Sequence, residues 1–172
     1  MTEGPSRSRA VLSLGANLGD RAGTLRAALT ALAADGPVEC SPLFETPPWG
    51  PVEQPPYLNA VALVDADRDA RGWLARAHEL EQAAGRTREV RWGARTLDVD
   101  VVTVTGEDGA PVVDDDPGLT LPHPRAHERA FVLVPWSSVD PAAELPGHGR
   151  VADLVAALDP AEVAAVVPWR EG

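Results

Sequence analysis
Short apolar runs alternate along this chain with segments in which leucine recurs at helical spacing. Ala10 to Leu14, Val38 to Glu45, Tyr57 to Asp65 and Leu97 to Val104 are short, and the last is rich in β-branched residues, so all four read as strands. Between the first two, Leu25, Leu29 and Leu32 share one helical face, Asp20 stands where a cap is needed, and Gly36-Pro37 closes the segment. A second helix is expected over Asp67 to Ala84, stopped by Gly85. The order β-α-β-β-α-β is the ferredoxin-like pattern and predicts an α+β sheet with its helices on one face. Past it, Gly106 to Gly118 is acidic and turn-rich, with a small hairpin edge at Pro111 to Val113. Phe131 to Val139 fits helix or strand, because Pro135 interrupts either, and Val151 to Leu158 reads as a short terminal helix. The expected fold is thus a ferredoxin-like core with an additional C-terminal strand and helices. Residues 1–9 read as a disordered tail and 10–172 as a single domain.

Charge changes this picture more than size does. The net charge of −11 opposes nucleic acid or an anionic membrane as partner. Every one of the 15 basic residues is arginine, so no Schiff-base lysine and no P-loop lysine is available. The lone Cys40 excludes an internal disulfide and fits a reducing compartment. No stretch reaches membrane-spanning length. A soluble, cytoplasmic, monomeric protein is expected.

Against the acidic background, Arg86 to Asp100 stands out. Arg86, Arg88, Arg91 and Arg95 precede Asp98 and Asp100 on the fourth strand. Side chains alternate along a strand, so the two aspartates share a face about 7 Å apart. Such a pair suits magnesium, which takes one or two protein carboxylates and completes its shell with water and phosphate oxygens. Guanidinium forks match those phosphates. The combination predicts a site for a metal–polyphosphate such as Mg-ATP.

Other stretches leave more than one reading open. Thr46 to Pro56 holds five prolines and forms a stiff loop. Its Trp49 suits either a packed lid anchor or a wall for a flat ligand. Tyr57 and Asn59 share a face with Val61 and Leu63, fitting a flat heterocycle or simply a core tyrosine with a polar neighbour. Leu74, His78 and Glu81 lie near one helical face, and His78 has no second His or Cys placed to make it a metal ligand. Leu119 to Phe131 carries His123, Arg125, His127 and Arg129. Pro122 and Pro124 break helical geometry at the first histidine and a third zinc ligand is missing, so an anion-facing segment with Phe131 as apolar wall is the better reading.

Taken together, five stretches resemble the 6-hydroxymethyl-7,8-dihydropterin pyrophosphokinase family. They are Leu14 to Asp20, Glu45 to Gly50, Tyr57 to Ala60, Gly85 to Asp100, and Leu121 to Phe131, in the family's order. The resemblance implies transfer of pyrophosphate from ATP to a pterin hydroxymethyl group, with AMP as the second product. It implies that Asp98 and Asp100 bind two Mg²⁺ ions and that Arg86 and Arg95 reach the transferring phosphates. It further implies that His78, Glu81, Arg88, Thr120, His123 and Arg129 line the ATP side. Tyr57 and Phe131 would sandwich the pterin, Asn59 would read its edge, Thr46, Pro47 and Trp49 would close over it, and Trp92 would ride on a lid. The chain departs from the family pattern at His78, where many members have Gln, at Trp49 for Leu, at Ala94 for Pro, and at Pro124 for Tyr.

Overall fold
Ten consecutive residues, Arg7–Ala16 (β1), form the strand on which the sheet is assembled. The computed structural model describes residues 7–47, 55–85 and 96–170. Strand β1 begins three residues earlier than the apolar pattern indicated, because Arg7, Ser8 and Arg9 pair with Asp67, Ala66 and Asp65 of Tyr57–Asp67 (β4). Its other neighbour is Asp98–Gly106 (β5), also antiparallel. The expected second strand is divided into Val38–Cys40 (β2) and Phe44–Thr46 (β3), both paired with β4. Pro42 lacks an amide hydrogen, and Ser41 carries the ladder across the break. Its backbone N–H donates to Val61 O at 2.9 Å and its Oγ accepts from Val61 N at 3.0 Å. A last strand, Val167–Pro168 (β10), covers the outer edge of β3, giving the order β10-β3-β4-β1-β5.

Helix Arg21–Asp35 (α1) starts at Asp20, whose Oδ1 accepts from Gly23 N at 2.9 Å. Gly36 ends it for want of room: a Cβ there would lie 1.9 Å from Asp65 O. Helix Ala70–Ala83 (α2) starts three residues later than expected, where Asp69 accepts from Gly72 N at 2.7 Å. Trp73 of α2 is fully buried, yet its indole N–H donates to Ser8 Oγ at 2.8 Å. Ala10, Leu12 and Leu14 of β1 pack with Leu25 and Leu32 of α1 and with Trp73 and Leu80 of α2.

The helices do not all lie on one face. Phe131 to Val139 belongs to helix Ala130–Val139 (α3), with Pro135 inside it. Val132, Leu133 and Trp136 of α3 pack on Val11, Val61, Leu63 and Val102, the opposite side of the sheet from α1 and α2. Burial of these side chains outweighs the hydrogen bond that Pro135 removes. Short strands Glu144–Leu145 (β8) and Gly149–Arg150 (β9) lead into Val151–Ala157 (α4), which joins the same cluster, and Pro160–Ala164 (α5) follows. The acidic hairpin also differs from expectation. Pro111 makes a single bridge to Thr105, and the paired strands are Asp114–Asp116 (β6) and Leu119–Leu121 (β7). The architecture is α+β, an antiparallel sheet with helices on both sides.

Candidate active site
Helix α3 covers only part of its face of the sheet, and the uncovered part is the site. Past Val11 and Val61, the residues pointing the same way are Ser13 and Gly15 of β1, Tyr57 and Asn59 of β4, and Asp98 and Asp100 of β5. They line a cleft of about 330 Å³ together with Thr46, Pro47, Arg125, Glu128, Arg129 and Phe131. The register makes rows of them. Gly15 pairs with Asn59 on one side and Asp98 on the other, while Ser13 pairs with Asp100. Neighbouring strands are about 4.8 Å apart, so Asn59 and Asp98 stand roughly 10 Å from each other across a glycine.

A bulge keeps the acids on this face. The β1–β5 register shifts between Val11, opposite Thr103, and Leu12, opposite Val101. The extra residue, Val102, therefore turns to the α3 side while Val101 and Val104 pack towards α1 and α2. Val102 O accepts from His123 N at 2.8 Å, which fastens the segment after the cis Leu121–Pro122 bond to the sheet. At its beginning, β5 is held by α2: the buried Glu81, 4 % exposed, accepts from Val99 N at 3.1 Å.

The electrostatics of the cleft are mixed. Arg129 Nη1 lies 3.6 Å from Asp100 Oδ2, and its guanidinium stands over the Phe131 ring at 5.5 Å. Burial lowers the basicity of His123, and Arg129 and Arg125 lower it further, against an opposing pull from Asp98. The imidazole is therefore uncharged at neutral pH. Its Nδ1 accepts from Arg125 N at 3.2 Å, so the proton resides on Nε2, a donor available to an anion. At the other end, Asn59 Nδ2 donates to Thr46 Oγ1 at 2.6 Å, and both residues are buried.

Asp98 and Asp100 suit hard cations. They are oxygen donors on one face, partly exposed, and open to a cleft with room for phosphate oxygens and water. Among the described residues there is no cluster of three or more His, Cys, Asp or Glu that would enclose a metal by itself. A cation here would be shared with an anionic ligand.

Of the residues expected from sequence, Thr46, Pro47, Tyr57, Asn59, Asp98, Asp100, Arg129 and Phe131 are brought together around this cleft. Glu81 is not among those lining it, since its carboxylate is used beneath the start of β5. His78 is exposed on α2, and Thr120 on β7 donates to Asp116 O at 3.3 Å, so neither lines the cleft. Trp49, Arg86, Arg88, Trp92 and Arg95 lie outside the described residues. Ser13, Gly15 and Glu128 line the cleft without having been expected there, and Arg125, expected only as part of an anion-facing segment, joins them. Alternation along β1 carried the signal for Ser13 and Gly15, as the small polar positions facing away from Leu12 and Leu14. Arg125 and Glu128 depend on the turn Ala126–Glu128, which no periodicity marks.

The model of the family described as 7,8-dihydro-6-hydroxymethylpterin-pyrophosphokinase (HPPK) matches residues 11–141. The 2-amino-4-hydroxy-6-hydroxymethyldihydropteridine pyrophosphokinase of Mycobacterium leprae is 51 % identical over 164 residues, covering 90 % of this chain and 85 % of that protein. The protein of the same name from Methylorubrum extorquens is 40 % identical over 159 residues, covering 91 % and 97 %. Among solved structures, the wild-type HPPK-DHPS of Plasmodium falciparum with pteroate superimposes with a TM-score of 0.59 over 90 % of this chain, at 13 % identity. The chain spans 43 % of that longer chain, and the likeness is one of fold.

Proposed function
The chain belongs to the 7,8-dihydro-6-hydroxymethylpterin-pyrophosphokinase family, and from that premise we propose that it transfers pyrophosphate from ATP to 6-hydroxymethyl-7,8-dihydropterin in folate biosynthesis. The products are AMP and the pterin diphosphate. The observation that carries this reading is the row Asn59–Gly15–Asp98 across three strands, which sets an amide side chain at one end and a carboxylate at the other. The strand order β3-β4-β1-β5 with α1 and α2 on one face supports reading the core as ferredoxin-like, with α3, α4 and β10 added to it.

Tyr57 and Phe131 supply aromatic surface to the pterin, Asn59 its polar edge contact, and Thr46 and Pro47 the rim of the cleft. The pterin hydroxyl oxygen attacks the β-phosphorus of ATP and gives up its proton to water, the bond from that phosphorus to the α-phosphate bridging oxygen breaks, and AMP leaves with the electron pair. The barrier to such a transfer is mainly one of position and charge. Asp98 and Asp100 would hold two Mg²⁺ ions, which when bound neutralise phosphate charge and hold the polyphosphate in line. Arg129 and the neutral His123 offer donors to phosphate oxygens at the same end of the cleft. On the family pattern alone, Arg86, Arg88 and Arg95 complete the phosphate contacts, and Trp49 and Trp92 the cover over the pterin. On the same pattern His78, Glu81 and Thr120 belong to the ATP side, beyond the residues that line this cleft, with Glu81 also holding the start of β5. The single Cys40 supports a cytoplasmic setting.

The test is AMP formation from protein, Mg-ATP and hydroxymethyl-dihydropterin, with and without chelator. Asp98→Ala and Asp100→Ala are expected to abolish AMP formation while the circular dichroism spectrum is retained. Full activity in either variant, or AMP made equally well in excess chelator, rules the assignment out.

A further inference from the structure
We propose that His148, at the tip of the β8–β9 hairpin and outside the cleft, is a positioning residue: its imidazole braces the turn Ala126–Glu128 and so fixes where Arg129 meets the polyphosphate. This rests on the pyrophosphokinase reading above and adds to it a residue from a part of the chain that the site does not otherwise use. Three observations carry it. The rings of His127 and His148 are stacked, with centroids 4.1 Å apart and planes 12° from parallel. His127 is the central residue of the turn, between Ala126, buried in the same cluster as α3, and Glu128, which lines the cleft. Arg129 ends this turn and begins α3, and its Nη1 lies 3.6 Å from Asp100 Oδ2.

The hairpin is built to hold a ring there. Leu145 and Gly149 are paired, which leaves Pro146, Gly147 and His148 to make the connection, and His148 N donates to Leu145 O at 2.9 Å. Gly147 and Gly149 have φ of 81° and 97°, and a Cβ at either would meet no atom within 4 Å. Backbone conformation, not crowding, therefore calls for glycine on both sides of the histidine. Ala143, Leu145 and Val151 are buried in the same cluster as Ala126 and Leu133. The hairpin and the turn thus share one core, and the stacked rings are a second tie between them. The turn's own backbone bonds, Glu128 N to Arg125 O at 3.0 Å and Arg129 N to Ala126 O at 3.2 Å, join residues three apart. His127 Nδ1 is buried and has no hydrogen-bond partner among the described residues, so the ring is held by its face. One flat ring packed on another limits the tilt of the turn. The long Arg129 side chain at the end of the turn would convert a small tilt into a misplaced guanidinium, and charge must meet the transferring phosphates in the right place to lower the barrier.

The experiment measures AMP formation by the full chain from Mg-ATP and hydroxymethyl-dihydropterin. His148→Ala is expected to lower kcat/KM for Mg-ATP about fivefold, the size of one aromatic pair. KM for the pterin stays within about twofold, where general loosening of the site would raise it as well. His148→Phe, which keeps a flat ring and gives up the nitrogens, restores the wild-type values. In an Arg129→Ala background, His148→Ala brings no further loss, because the group it positions is gone. By NMR, the His127 ring protons of the wild-type protein carry a ring-current shift from His148, which is lost in His148→Ala and kept in His148→Phe. An unchanged kcat/KM in His148→Ala, the same loss again in the Arg129→Ala background, or a His148→Phe variant as defective as His148→Ala overturns the inference and leaves the pyrophosphokinase reading standing. Wild-type protein whose His127 protons show no such shift does the same. A wild-type chain that makes no AMP overturns that reading and the inference with it.

Discussion

His123 shows how a single side chain takes its character from neighbours the chain order does not reveal. An imidazole between Arg125 and Arg129, half removed from water, gives up its proton more readily than a free one. The unfolded chain then binds the proton more tightly than the folded one does. The resulting stabilisation is complete above the ordinary imidazole value of about 6.5 and is lost as pH falls from there through the lower folded value. Denaturant titrations between pH 7 and pH 5 should show stability falling, with a shallower fall in His123→Gln. By NMR, His123 should titrate below the ordinary range, move back up in Arg129→Ala, and move further down in Asp98→Asn, since Asp98 is the carboxylate that supports its charge. A His123 resonance titrating at the ordinary value in the wild-type protein would remove the electrostatic coupling assigned to this group. Gly15 makes the complementary point: its contribution to the cleft is a missing side chain, which sequence alternation locates on the right face but cannot identify as a gap.

At the level of elements, caps and breaks decide where the chain turns towards the site. Asp20 and Asp69 each accept an N–H in the first turn of their helices. Asp20→Ala and Asp69→Ala should each cost about 1 kcal/mol in denaturant unfolding, with Asn substitutions losing much less. Gly36 is a stricter position, because the close approach to the Asp65 carbonyl leaves no room for a methyl group. Gly36→Ala must displace the turn from β4, and a melting temperature unchanged from wild type would contradict the contact. The division of the edge strand into β2 and β3 is also an element-level effect. Val38 to Glu45 was expected as one strand; Pro42 breaks it, and the bond from Val61 N to Ser41 Oγ bridges the break. That break lets β3 restart in a new register, Phe44 opposite Asn59, and so brings Thr46 to the cleft.

For the molecule as a whole, the two faces of one sheet have different duties. One is fully covered by α1 and α2, and the other is shared between α3 and the cleft. Leu133, fully buried between α3 and the sheet, secures that division. Leu133→Ala should cost about 2–5 kcal/mol in unfolding free energy and raise KM for the pterin through Phe131 and Arg129 before it affects the overall fold. A variant equally destabilised but with unchanged KM would separate the α3 packing from the site. The strand–helix order, the Asp20 cap, the shared face of Asp98 and Asp100, and that of Tyr57 and Asn59 were legible in the chain alone, since each follows from periodicity or from a residue's own backbone preference over a few positions. The helical state of Ala130–Val139, its position on the opposite face, the β5 bulge, and the company kept by His123, Arg125, Glu128 and Arg129 were decided only by tertiary packing. An apolar run containing proline has no preferred partner until a sheet face is there to bury it, and a turn between two prolines carries no repeat from which its direction can be read.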